Sequence, residues 1–294
     1  MKVLDLFSGI GGFSLGLERA GMETVAFCEI EDYPRKVLAK HWPNIPIYED
    51  VRNVTRERLN ADGIFPDVIT GGFPCQDISV AGKQAGIDGE RSGLWSECAR
   101  ILGEFRPRYA IFENVTALLG GNDGKWFERV LWDISQVGYD AEWHCIPASE
   151  LGAHHHRDRV WIIAYPASTG GTRMPVNEIN RCCGDNGGPA TEILQGSSTD
   201  TNSKGLQRGE KFGIFGKGGE RWHQLITGCF CHFRDISTVK PTIRRDFNGV
   251  SNQPYRINRV KGCGNAVVPQ IPEIIGRAIM EIENEPKDSS SGLG

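Results

Sequence analysis

Cys75 is the residue whose surroundings most plainly ask for chemistry. It sits in the run Thr70-Gly71-Gly72-Phe73-Pro74-Cys75-Gln76, directly after a short apolar stretch. Most free cysteines are buried and behave as small hydrophobes. Gly and Pro, however, hold a backbone shape and pack little, so a cysteine on such a turn is presented rather than packed. Ligands of open α/β sheets gather at the carboxyl ends of strands, which is where this turn falls. Beyond Gln76 the chain passes Ser79, Ala81, Gly82, Gly86 and Gly89 before Arg91, a composition suited to a mobile lid.

Glu113 ends the apolar run Ile111-Phe112 and is followed by Asn114-Val115. A carboxyl in that setting is partly desolvated, which raises its pKa and lets it donate a proton. The alternative is a structural Glu paired with a nearby Arg. Arg157 and Arg159, at i and i+2 before Val160-Trp161-Ile162-Ile163-Ala164, share one face of an extended segment and present two guanidinium groups to a base or phosphate. His154, His155 and His156 precede them, but neighbours on an extended chain point to opposite faces and converge poorly on one metal ion. Cys182-Cys183 and His223…Cys229-Phe230-Cys231-His232 offer no CxxC pair, so zinc is not expected there, nor any other metal.

A third cluster opens the chain. Asp5-Leu6-Phe7-Ser8-Gly9-Ile10-Gly11-Gly12-Phe13 reads as a strand, a glycine turn and a helix start, letting a ligand approach backbone N–H groups at the first crossover. Glu29 follows at the end of the second strand, where a carboxylate accepts from ribose hydroxyls. Asp50 occupies the matching end of the third strand, within reach of an adenine amino group. These positions favour a nucleoside-bearing cofactor, and the absence of GxGxxG disfavours NAD.

The elements that must position these residues alternate short apolar runs with amphipathic ones, the pattern of a doubly wound, mostly parallel α/β sheet. Strands are expected at 2–7, 24–28, 46–48, 67–70, 109–113, 141–146 and 159–165. Helices are expected at 13–20, 32–41 with Pro34 in its first turn, 94–104, 126–137 ending at Gly138, and 271–282. After Pro166 the composition turns to Gly, Ser, Thr and Asn with almost no apolar period. That stretch reads as a loop-built recognition domain or a partly disordered insert. Regular structure returns near Ile257, and Gly262-Cys263-Gly264-Asn265-Ala266-Val267-Val268-Pro269 reads as a helix-entry turn.

Charge is segregated. Residues 1–164 hold 17 Lys+Arg against 24 Asp+Glu, whereas residues 201–262 hold 12 against 4. This suggests an acidic body and a basic segment able to meet phosphates. The 9 scattered cysteines read as cytosolic thiols. No apolar run approaches the roughly 20 residues of a membrane span, and the amino terminus lacks the features of a signal peptide.

Taken together, the segments resemble the cytosine-5 DNA methyltransferase family, in the family's order and spacing. DLFSGIGG is similar to its cofactor loop, GGFPCQ to its nucleophile turn, ENV to its catalytic glutamate, RDR to its arginine pair, and GNAVVPQ to its final cofactor-side motif. The likeness spans 1–165 and about 257–282. It implies the class I S-adenosylmethionine-dependent methyltransferase fold: a catalytic body at 1–165, a smaller variable target-recognition domain at 166–256, a return at 257–284 and a solvated tail at 285–294.

The resemblance further implies that Cys75 attacks carbon 6 of a flipped cytosine in duplex DNA. Glu113 would hold N3, Arg159 would hold O2, and Arg157 would support the base or lid. Phe7, Gly9, Gly11, Glu29, Ile30, Asp50, Val51, Asn265 and Val267 would line S-adenosyl-L-methionine. Gln76, Ser79, Arg244 and Arg245 would meet DNA. His154 and His155 stand where relatives often carry Pro-Gln, and Cys263 where a bulkier apolar residue is commoner. The implied protein is a cytoplasmic monomer, bacterial or phage-encoded, with a possible restriction endonuclease counterpart. A tRNA cytosine-5 methyltransferase would carry Cys-Phe-Thr where this chain has Cys229-Phe230-Cys231. Amino methylation is opposed by the lack of an Asp/Asn-Pro-Pro-aromatic tetrad, and a DNA-binding relative without catalysis by the intact Cys75, Glu113 and Arg159.

Overall fold

The structure, a computed structural model, describes residues 1–74, 94–151, 157–167 and 256–284. Their elements run β1 (Lys2–Leu6), α1 (Gly12–Arg19), β2 (Glu23–Cys28), α2 (Asp32–His41), β3 (Ile47–Tyr48), α3 (Arg56–Ala61), β4 (Val68–Gly71), α4 (Leu94–Phe105), β5 (Tyr109–Val115), α5 (Ala117–Gly120), α6 (Lys125–Gln136), β6 (Tyr139–Pro147), β7 (Asp158–Pro166), α7 (Arg256–Asn265) and α8 (Gln270–Asn284). Single 3-10 turns occur at Val51–Asn53 and Ala148–Leu151. No described helix is long and apolar enough to cross a membrane.

The chain divides into two compact units. Among the described residues the first gathers 1–72, 146–151, 157–158 and 256–284. Its strands lie in the order β3-β2-β1-β4, and all three ladders are parallel. β1 and β4 are buried along nearly their whole length, which suits the unbroken apolar runs of an interior parallel strand. α8 lays Ile271, Ile274, Ile275, Ala278 and Ile279 inward at helical spacing.

α1 meets α8 through glycines. A Cβ on Gly16 would lie 2.2 Å from the Pro269 carbonyl oxygen, and one on Gly276 2.8 Å from the Ala20 Cβ. Gly12 likewise leaves room for the Val267 carbonyl, 2.5 Å from where its Cβ would stand.

The second unit gathers 73–74, 94–145 and 159–167. Its strand order is β5-β7-β6, with β5 and β7 antiparallel and Glu113 paired in register with Trp161. α6 buries Phe127, Val130 and Ile134, a single stripe, and stops where Gly138 takes a φ of 85°. Each fully buried Ile, Leu or Phe of these cores contributes about 1.5–3 kcal/mol.

The expected strands and helices reappear with ends moved by a residue or two, the largest shifts being at Tyr139, Val115 and Asn284. Two expectations need correction. α3 and α5 were not expected. Gly262–Asn265 is the last turn of a helix, α7, rather than the entry to the next one. That turn is held by tertiary contacts: Lys261 Nζ lies 2.6 Å from Glu31 Oε1, and Gly262 packs beside Ile10 and Tyr33.

Candidate active site

The turn after β1 is built from left-handed backbone. Phe7, Gly9 and Gly11 have φ of 52°, 54° and 88°. Glycine adopts this region freely, whereas at Phe7 it costs roughly 1–2 kcal/mol. The surroundings hold it there. The Ser8 hydroxyl donates to the Asp5 carbonyl at 2.6 Å, and the Ser8 N–H donates to the Cys28 carbonyl at 3.1 Å. The Gly9 N–H donates to Glu29 Oε2 at 2.8 Å, and the Gly11 N–H to the Ser8 carbonyl at 2.9 Å. A Cβ on Gly9 would meet nothing within 4 Å, so that position faces open space. Gly11 does not: its Cβ would strike the Trp42 ring at 2.6 Å.

At the end of β2, Glu29 is buried and its other oxygen, Oε1, accepts the Glu31 N–H at 2.7 Å. Burial raises its pKa, opposed by those two backbone donors. Ile30 beside it is 65% exposed, an aliphatic side chain left in the open. Asp50 is half-buried; its Oδ1 accepts the Arg52 N–H at 3.0 Å and so caps the turn that carries the buried Val51. Asn265 is exposed at the end of α7, and Val267 backs onto Gly12. All nine expected cofactor positions therefore belong to the first unit.

In the second unit Arg159 Nε lies 2.8 Å from Glu113 Oε1, and both side chains are largely buried. The two residues face each other because β5 and β7 run antiparallel with Val115 opposite Arg159. Next to Glu113, Asn114 turns the other way. Its Nδ2 donates to the Phe73 carbonyl at 3.1 Å, and its Oδ1 accepts the Val115 N–H at 2.9 Å. The Phe73 ring packs on Trp95, which in turn meets Phe112 edge-on, with centroids 5.0 Å and 5.2 Å apart. Asn114 and this aromatic group anchor the backbone two residues before Cys75.

β7 begins at Asp158, so Arg157 stands before the ladder, and its guanidinium donates to the Gly264 carbonyl. Cys75, Gln76, Ser79, His154, His155, His156, Cys182, Cys183, His223, Cys229, Cys231, His232, Arg244 and Arg245 lie outside the described residues. Among the described residues no group of three or more His, Cys, Asp or Glu could hold a metal ion.

Three residues went unread in the sequence. Asp5 is fully buried, with Ser14 Oγ donating to Oδ2 at 2.8 Å and Thr70 Oγ1 donating to Oδ1 at 2.9 Å. The signal was present: a carboxylate inside the apolar run VLDLF. Asn114 had a comparable signal beside Glu113. Glu142 on β6 had none, because its strand alternates irregularly.

Residues 1–182 match the family model for C-5 cytosine-specific DNA methylase. The chain is 37% identical over 168 residues to Type II methyltransferase M2.BsuMI of Bacillus subtilis, covering 56% of this chain and 42% of that protein. It is 33% identical over 171 residues to Type II methyltransferase M.NgoFVII of Neisseria gonorrhoeae, covering 58% and 45%. It thus spans less than half the length of these relatives.

Two solved structures share the fold. One is a protein encoded within an E. coli prophage and described as a DNA modification methyltransferase (TM-score 0.58, 18% identity, 97% of this chain and 100% of that one). The other is the S. pombe Dnmt2 methyltransferase (TM-score 0.56, 13% identity, again 97% and 100%). The fold is that of the class I S-adenosylmethionine-dependent methyltransferases.

Proposed function

The chain belongs to the C-5 cytosine-specific DNA methylase family, and from that premise we propose that it methylates carbon 5 of a cytosine flipped out of duplex DNA, through a covalent bond to Cys75. The observation that carries the reading is the Glu113–Arg159 pair, 2.8 Å apart and inside the matched residues. A carboxyl and a guanidinium held together present the two groups that a cytosine ring needs at N3 and O2.

The first unit suits S-adenosyl-L-methionine. The backbone is open at Gly9, Ile30 offers an exposed apolar surface for a ring, and Asp50 stands nearby for an amino group. Glu29 would take the ribose hydroxyls; each of its oxygens spends one lone pair on a backbone N–H and keeps another. Phe7, Val51, Asn265 and Val267 would complete the lining, and Gly11 would serve by shaping the turn. When bound, this cofactor supplies the electrophilic methyl that carbon 5 takes.

The chain's own residues do the rest. The Cys75 thiolate adds to carbon 6, and Glu113 holds the proton at N3 so that electron density reaches carbon 5. Arg159 fixes O2 and orients Glu113. Loss of the carbon 5 proton then expels Cys75. Arg157, whose guanidinium donates to the Gly264 carbonyl, would support the base or lid. Gln76 and Ser79 would meet the DNA beside the flipped base, and residues 166–256, with Arg244 and Arg245, would choose the target sequence. In a cell the protein would work on DNA in the cytoplasm, as a monomer, with a restriction endonuclease as possible counterpart.

A duplex with 5-fluorocytosine at the target tests this. Fluorine replaces the hydrogen that must leave as a proton, so elimination stalls with protein and DNA bonded. The adduct should require S-adenosyl-L-methionine, survive denaturing electrophoresis and map to Pro74-Cys75-Gln76, and Cys75→Ala should form none. A stable adduct at another cysteine, or methylation by Cys75→Ala, overturns the mechanism.

A further inference from the structure

Asp5 takes no part in the proposed reaction. It pairs in register with Phe27 on β2 and Thr70 on β4, one residue before β1 ends. It therefore lies beneath the carboxyl ends of three parallel strands, where sheets of this class take their ligands. An apolar side chain would fill the space without the cost of burying a carboxyl. Instead two hydroxyl donors, Ser14 from α1 and Thr70 from β4, converge on its two oxygens. The charged and titratable neighbours facing it are Glu29 and Cys28 from β2. Burial pushes the Asp5 pKa up to about 7, the hydroxyls of Ser14 and Thr70 oppose the rise, and Glu29 adds to it. Near neutral pH the group is thus divided between its charged and neutral forms.

We propose that Asp5 reports the charge of the bound cofactor, ionising when the cationic sulfonium donor occupies the turn and not when the neutral thioether product does. This rests on the reading that the turn takes S-adenosyl-L-methionine. The balance is simple: the cation binds, the O–H bond of the protonated carboxyl breaks, the electron pair stays on oxygen and the proton passes to solvent. A positive charge favours a nearby carboxylate, while S-adenosyl-L-homocysteine carries no sulfonium and offers no such drive. Asp5 thereby favours donor over spent product, more strongly as pH rises through 7.

Titration calorimetry in two buffers of different ionisation heat counts the protons. At pH 7 the wild-type protein should release up to about half a proton more than Asp5→Asn on binding S-adenosyl-L-methionine. The two proteins should release alike on binding S-adenosyl-L-homocysteine. Comparing them cancels the cofactor's own titration. Ser14→Ala keeps the carboxyl but removes one donor to its charged form, so the pH of greatest release should move upward. Equal release from wild type and Asp5→Asn overturns the proposal, as does an unmoved maximum in Ser14→Ala should Asp5→Asn not fold. Folded wild-type protein that binds neither sulfur compound overturns the cofactor reading and this proposal with it, a result distinct from failure at Asp5 alone.

Discussion

Glu29 braces the turn and, in the proposed reading, would also serve a ligand. It accepts from the Gly9 and Glu31 N–H groups, so Glu29→Ala removes a brace together with the proposed ribose contact. The variant should bind S-adenosyl-L-methionine more weakly by about 1.5–3 kcal/mol, the worth of a hydrogen bond to a charged acceptor. Calorimetry finding unchanged affinity in a folded variant removes Glu29 from the site. Glu142 bears on stability instead. It is buried on β6, accepts from the Tyr165 hydroxyl at 2.9 Å, and burial lifts its pKa to about 7 from an ordinary 4.5. A carboxyl whose folded pKa is raised holds its proton more tightly when folded. Its stabilisation is therefore complete below about pH 4.5 and is lost as pH climbs through about 7. Glu142→Gln keeps an acceptor for Tyr165 and cannot ionise, so denaturant midpoints at pH 5 and pH 8 should lie closer together than in the wild type. An undiminished difference assigns the slope to other groups.

At the scale of elements, what could be read in advance was punctuation and periodicity. Pro34 in the first turn and Gly138 after the last placed α2 and α6 to within a residue. The apolar run before Glu113 placed β5, and Glu113 does pair with an arginine, Arg159, the arrangement that the sequence also offered for a structural Glu. α7 showed in the sequence only as regular structure returning near Ile257, because Gly262 and Gly264 argue against a helix; its contacts with Glu31, Tyr33 and Arg157 are tertiary and leave no local trace. For the same reason Arg157 and Arg159 looked like a pair, whereas the start of β7 between them sends each to its own partner. The α1–α8 contact is likewise invisible in sequence yet exacting in space. Gly16→Ala would set a methyl group 2.2 Å from the Pro269 carbonyl oxygen. The gain in helix propensity, roughly 0.5–1 kcal/mol, should be outweighed by overpacking of about 1–3 kcal/mol. Thermal denaturation should show a net loss, and a variant as stable as the wild type would mean that α8 shifts away at no cost.

The molecule as a whole separates its charge, with 24 Asp+Glu against 17 Lys+Arg in residues 1–164 and 4 against 12 in residues 201–262. On the proposed reading, the acidic residues would repel DNA and the basic segment would draw it in. If Arg244 and Arg245 contact phosphates, replacing both with Ala should weaken binding and flatten its salt dependence, by a slope of roughly 0.9 for each phosphate no longer neutralised. Binding measured from low to high salt with an unchanged slope would clear that pair of the role. Sequence reading could mark this segment only by composition, because it has almost no apolar period. The glycines that join α1 to α8 also have a consequence in time. During synthesis α1 leaves the ribosome well before α8, and until α8 follows it the face around Gly12 and Gly16 lacks the cover that Val267, Pro269 and Pro272 give it. The glycine turn is therefore completed only when α8 packs on α1, and a nascent chain still lacking α8 would be a poor competitor for any ligand that the turn takes.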